Sequence, residues 1–209
     1  MKFSSLFFAG LAAAQTPAPY TDVKSGITFN TLVDNASGYF FGLALPVETT
    51  GTDFIATIGG KGTGWSGVSL GGAMLNKLLI VAWPNSQTIV SSFRKTAKYG
   101  SPAVATGTFT LSPIANGTYV NSTHWTYTFL CSNCIQTDGT TFTANDDLPS
   151  LGWALNSAAP SQKTNAASAV AKHTTEGTYQ IDLTKARSAN FNTWKTWAAP
   201  KLSAVAFDA

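Results

Sequence analysis

Charge is scarce in this sequence. Asp, Glu, Lys and Arg together make up 11% of its 209 residues, against about 25% in an ordinary soluble protein. Histidine is limited to His124 and His173, cysteine to Cys131 and Cys134, and methionine, the initiator aside, to Met74. These shortages exclude several chemistries. The only close pair among the ten acidic residues is Asp146-Asp147. Neighbours on a turn point apart, unlike the two facing carboxylates of a glycosidase. There is no G-x-S-x-G elbow for a serine nucleophile and no H-E-x-x-H zinc motif. Leu70-Gly71-Gly72 is not G-x-G-x-x-G, and no βαβ pattern surrounds it, which argues against a dinucleotide site. A formal net charge of +3, with no basic run and no basic-aromatic patch, argues against a nucleic-acid partner.

The two cysteines form C-x-x-C. A thioredoxin-like motif needs a βαβ context, which is missing, and covalent c-type haem attachment needs a histidine where Ile135 stands. Two cysteines alone do not build a tetrahedral zinc site. In an exported protein such a pair is expected to form a disulfide.

Export is indicated by the start of the chain, MKFSSLFFAGLAAA. Lys2 is the charged n-region, Leu6–Leu11 the apolar h-region and Ala12-Ala13-Ala14 an A-x-A cleavage site, so residues 1–14 are expected to be a removed secretory leader. The run is too short for a membrane span, which needs about 20 apolar residues, and no membrane association is expected. Cleavage after Ala14 places Gln15 first and takes the formal charge from +3 to +2. Asn35, Asn116 and Asn121 each open an N-x-[S/T] triplet and are candidate glycosylation sites of a secreted chain.

What the sequence does have is 44% hydrophobic residues and many aromatics, arranged in short runs between Gly, Pro, Asn and Ser turns. Strands are predicted over residues 27–29, 39–45, 54–58, 65–70, 78–83, 88–93, 106–111, 125–130, 152–156 and 178–181. Alternation is cleanest at His124–Leu130, where Trp125, Tyr127 and Phe129 share one face. Short strands at this spacing predict an all-β antiparallel sandwich. One helix is predicted, Leu183–Trp194, with Asp182 positioned to cap it. Residues 161–171 read equally as a loop or a weak helix. The domain is expected to span 15–199, followed by a short tail over 200–209.

Within this frame the stretch Gly64–Trp83, GWSGVSLGGAMLNKLLIVAW, stands out. Met74 follows a glycine pair and precedes a dense apolar run. A methionine there is either an adaptable core residue or a ligand. His124 falls on the strand face opposite Trp125 and Tyr127 and is expected to be structural. His173 lies in a polar turn, where sites are often built on a rigid β scaffold. Methionine with histidine is an electron-transfer haem pairing, but the sequence does not show that Met74 and His173 meet.

The segments Gly67–Trp83, Ile89-Val-Ser-Ser92, Asn121-Ser-Thr-His-Trp125, Cys131-Ser-Asn-Cys134, Lys172-His-Thr-Thr-Glu-Gly177, Ile181-Asp182 and Ser188-Ala-Asn-Phe191 occur together in an order that resembles the secreted fungal cytochrome domain of cellobiose dehydrogenase. The resemblance runs from about Tyr20 to about Trp197. It implies an immunoglobulin-like β-sandwich, secreted and monomeric, holding one non-covalent haem b. Met74 and His173 fall on its two iron ligands, Tyr99 on a tyrosine that hydrogen-bonds a haem propionate, and Cys131–Cys134 on its disulfide. His124 matches a position that is not a ligand. The segment Phe93-Arg-Lys-Thr-Ala-Lys98 departs from the family pattern. In function the resemblance implies a non-catalytic one-electron carrier. Its donor would be a flavin-dependent sugar dehydrogenase, and its acceptor a copper polysaccharide monooxygenase, a quinone or ferric iron. The Ser/Thr-rich linker and flavin domain of cellobiose dehydrogenase are not found before Ala209, so a free-standing cytochrome or a truncated gene model is expected. The competing expectation is a haem-free sandwich that binds carbohydrate through its aromatics.

Overall fold

The computed structural model of the chain describes residues 16–199; the leader expected at 1–14 and the tail expected at 200–209 lie outside the described residues. The strands are β1 (Ala18–Thr21), β2 (Thr28–Asp34), β3 (Tyr39–Ala44), β4 (Phe54–Lys61), β5 (Trp65–Ser69), β6 (Leu79–Asn85), β7 (Thr88–Lys95), β8 (Ala103–Val104), β9 (Thr110–Pro113), β10 (Tyr119–Val120), β11 (His124–Ser132), β12 (Ser150–Asn156) and β13 (Thr175–Gln180). They form a seven-stranded sheet in the order β1-β2-β3-β4-β11-β10, with β9 also on β11, and a six-stranded sheet in the order β13-β12-β5-β6-β7-β8. The ladders within both sheets are antiparallel. The fold is the predicted β-sandwich.

Period-two alternation sorts the side chains into three apolar layers. Between the sheets lies the main core, which includes Tyr39, Phe41, Leu43, Ile58, Val68, Ile80, Trp125, Tyr127 and Phe129. The rings of Tyr127 and Phe129 stack with centroids 4.7 Å apart, as the alternation in β11 requires. The outer face of the seven-stranded sheet carries Ile27, Phe29, Ala44, Ile55 and Leu130, and the short helix α1 (Phe191–Lys195) covers it with Phe191 and Trp194. On the outer face of the six-stranded sheet Trp65, Val81 and Trp83 meet Val170, which comes from an irregular segment and not from a strand or helix. No helix among the described residues is long and apolar enough to cross a membrane.

The predicted helix over Leu183–Trp194 is not continuous. A 3-10 turn, Thr184–Ala186, is separated from α1 by extended backbone at Arg187. Pairing explains the break. Arg187 bridges Leu45 in parallel, and the Ser188 N–H donates to the Leu45 carbonyl at 2.9 Å. Residues committed to the end of β3 cannot also complete helical turns. Asp182 does cap locally, its carboxylate accepting from the Thr184 N–H at 3.0 Å. Residues 161–171 are irregular, with turns and no helix. Cys131 and Cys134 form a disulfide that is fully buried beside the main core.

Candidate functional site

Register places the small residues of the six-stranded sheet on its outer face. Gly67 pairs with Val81 and with Ala154, and Ser69 pairs with Leu79 and with Gly152. Side chains of paired residues share a face, so Gly67, Gly152 and Ala154 give a low floor flanked by Leu79 and Val81. Above it opens a cavity of about 870 Å³, within the range of roughly 300–1,000 Å³ common for small-molecule and cofactor sites. Met74, Tyr99 and His173 all line it. Met74 and His173 are half-buried, and Tyr99 at the mouth is 80% exposed.

Met74 is carried by the turn between β5 and β6. Gly72, at φ +83°, occupies the left-handed region that favours glycine. The Gly72 carbonyl rests directly on β12, where a Cβ at Gly152 would lie 2.2 Å from its oxygen. Ser69 Oγ donates to the Ala73 carbonyl and so closes the turn from below. The Asn76 N–H donates to the Thr96 carbonyl at 2.8 Å. Gly72 therefore shapes the turn, and Gly152 lets it approach β12.

His173 enters from the other end of the strands, just before β13. Its neighbours on both sides are fixed. Asn156 Nδ2 donates to the Lys172 carbonyl at 2.6 Å, and the Thr174 N–H donates to the Leu155 carbonyl at 2.9 Å. The imidazole Nε2 lies 2.9 Å from the Glu176 carboxylate, whose side chain is 64% exposed. From Ser69 to Trp65 the floor strand advances four residues, about 13 Å at 3.3 Å each. The thioether and the imidazole thus approach the cavity from its two ends.

The remaining predicted residues lie elsewhere. His124 is half-buried at the start of β11 in the other sheet, its Nδ1 2.8 Å from Thr123 Oγ1. Asn35, Asn116 and Asn121 are exposed in turns or loops. Sequence reasoning missed Gly67, Ser69, Gly152 and Asn156 as shapers of the site. Each is an unremarkable polar or small residue until strand register shows which face it occupies.

The cavity suits an iron that brings most of its own ligands. Among the described residues no group of three or more His, Cys, Asp or Glu is gathered for a metal. The cavity's thioether and imidazole, from Met74 and His173, stand beside the Glu176 carboxylate that His173 contacts; thioether with imidazole is a donor pair that fits an electron-transfer haem. The glycine floor leaves room for a bulky group, since a Cβ at Gly67 would lie 3.4 Å from Trp65 and 3.5 Å from Val81. The sequence profile described as "Cytochrome domain of cellobiose dehydrogenase" matches residues 20–193.

The chain belongs to this family of cytochrome domains. The cytochrome domain of Myriococcum thermophilum cellobiose dehydrogenase superposes with a TM-score of 0.81 at 31% identity, covering 91% of this chain and all of that one. The cytochrome b domain of pyranose dehydrogenase from Coprinopsis cinerea has the same fold, with a TM-score of 0.79 at 24% identity over 88% of this chain and 96% of that one. In sequence, a pyrroloquinoline quinone-dependent pyranose dehydrogenase of Coprinopsis cinerea is 29% identical over 199 residues, or 90% of this chain. The chain spans 27% of the length of that curated relative. The match makes it a cytochrome domain of an oxidoreductase family.

Proposed function

We propose that this cytochrome domain is a secreted one-electron carrier with haem b seated in the outer-face cavity between Met74 and His173. The observation that carries this reading is the convergence of those two side chains on one cavity. When bound, haem b supplies an iron that alternates between ferric and ferrous states. Met74 would hold it through its thioether, a ligand that favours the reduced state and raises the potential. His173 would hold it through its imidazole, giving up its contact with Glu176. Held by both side chains, the group would be closed to oxygen and substrate and would serve outer-sphere electron transfer. Gly67, Gly152, Ala154 and Val81 form a close, largely apolar floor that excludes water. Tyr99 stands at the mouth, where its hydroxyl can donate to a propionate.

The relatives are dehydrogenases, which supports a dehydrogenase as the donor; the donor in this reading is the flavin-dependent sugar dehydrogenase that the family resemblance implies. The acceptor is a copper polysaccharide monooxygenase, a quinone or ferric iron outside the cell. The test is rapid mixing of the oxidised, haem-loaded protein with a substrate-reduced flavin sugar dehydrogenase, then with each acceptor. Haem reduction followed by acceptor-dependent reoxidation supports the proposal. A colourless protein that takes up no haem and is depleted onto cellulose instead supports a carbohydrate-binding sandwich.

A further inference from the structure

Arg94, on β7, is only 1% exposed. It pairs with Leu79 across the β6–β7 ladder, which puts it on the same outer face as the cavity floor. Its Nε donates to Ser92 Oγ at 2.7 Å. One terminal nitrogen donates to the Pro102 carbonyl at 2.8 Å, and the other to the Ala166 and Ser168 carbonyls at 2.6 and 2.8 Å. None of these partners is a carboxylate. A buried cation answered only by neutral oxygens is costly unless its hydrogen bonds are needed where they are.

What they join is specific. Pro102 ends the loop between β7 and β8 that carries Tyr99. Ala166 and Ser168 belong to the segment between β12 and β13 that carries His173. These two stretches wall the cavity, and they also touch each other, the Val170 N–H donating to Ser101 Oγ at 3.0 Å. Lysine is a point charge on a flexible stem, whereas the planar guanidinium fork reaches several fixed acceptors at once. We propose that Arg94 is a positioning residue that ties the Tyr99 loop and the His173 segment into one wall, presetting the cavity before its cofactor enters. The cofactor clause rests on the function proposed above; the clamp itself rests on the hydrogen bonds alone.

The test uses Arg94→Lys in the full chain. In the haem-free protein, amide hydrogen exchange is expected to accelerate at least tenfold across residues 99–102 and 166–173. In β4 and β11 of the opposite sheet it should stay within about twofold. Hemin should be released at least tenfold faster, and at saturating hemin part of the six-coordinate low-spin spectrum should convert to a five-coordinate form. Equal acceleration in both sheets, or none in the two loops, overturns the proposal. If Arg94→Lys does not fold, the wild-type haem-free protein decides. Separately resolved, slowly exchanging Arg94 guanidinium protons in its NMR spectrum support the clamp, and one averaged, rapidly exchanging set overturns it. A wild-type protein that takes up no hemin defeats the functional reading, and the exchange data then judge the clamp independently.

Discussion

Met74 and His173 reach the same cavity from opposite ends of the β5–β12 ladder. Met74 projects from the turn beyond Ser69, and His173 from the segment pinned to Asn156. Both supports are hydrogen bonds from a strand side chain, Ser69 on β5 and Asn156 on β12, to a backbone carbonyl of the segment that carries the donor. Strand register thereby sets the two ends from which the donors approach, and the loops that carry them complete the cavity.

The floor gives the first prediction. Gly67 has no positive φ, and a Cβ there meets the Ile80 carbonyl oxygen at 3.3 Å and Val81 at 3.5 Å. A small shift accommodates it. Gly67→Phe should therefore fold, with stability changed by only about 1 kcal/mol, while its ring fills the cavity. Hemin titration is expected to show at least a hundredfold weaker binding. Undiminished binding would mean the cofactor does not lie on this floor.

The histidine end gives the second. Asn156→Ala removes the donor to the Lys172 carbonyl and the acceptor for the Ala158 N–H, which lies 2.7 Å away. The loss should be about 1–3 kcal/mol, measured by urea denaturation of the haem-free protein. Hemin release should accelerate beyond what that loss explains in a control of equal instability, such as Leu130→Ala in the opposite sheet. Equal release from the two variants would deny Asn156 a role in placing His173.

Much of this was legible in the chain before its structure. The alternation at Trp125, Tyr127 and Phe129 gave their shared core face, and the scarcity of Met and His made Met74 and His173 visible. The roles of Gly67, Gly152 and Ala154 were not, because which face a small residue occupies depends on register with strands far away in sequence. Arg94 was hidden for a related reason. Nothing in Val-Ser-Ser-Phe-Arg-Lys marks it as buried, and the carbonyls it binds come from two loops. The overlong helix at Leu183–Trp194 failed where Leu45 claimed Arg187 and Ser188 for pairing, a contact that local propensity does not register.

Alkaline pH gives the third prediction. Burial raises the pKa of Tyr39 and Tyr179 well above the ordinary value, and that of Tyr127 to about 12 despite a hydrogen bond from Ser91 that acts the other way. Above pH 10 the unfolded chain loses these phenolic protons while the native chain keeps them. The unfolded state then binds fewer protons, and stability falls as pH rises. The contribution is fully present below pH 10 and, for Tyr127, is lost between about 10 and 12. Denaturant midpoints should be level with respect to these groups below pH 10 and drop above it, with tyrosinate absorbance rising as the protein unfolds. Tyrosinate formation in a protein that stays folded would contradict it.

The most direct measurement is the visible spectrum of the hemin-loaded protein in both redox states, taken for the wild type, Met74→Ala and His173→Ala. The wild type should bind one hemin, show a sharp Soret band with low-spin six-coordinate features, and reduce with ascorbate or dithionite. Each variant should lose the six-coordinate form, and His173→Ala should also bind hemin more weakly. A wild type that binds no hemin, or a variant that keeps the wild-type spectrum unchanged, would contradict the assignment of Met74 and His173 as the two axial ligands.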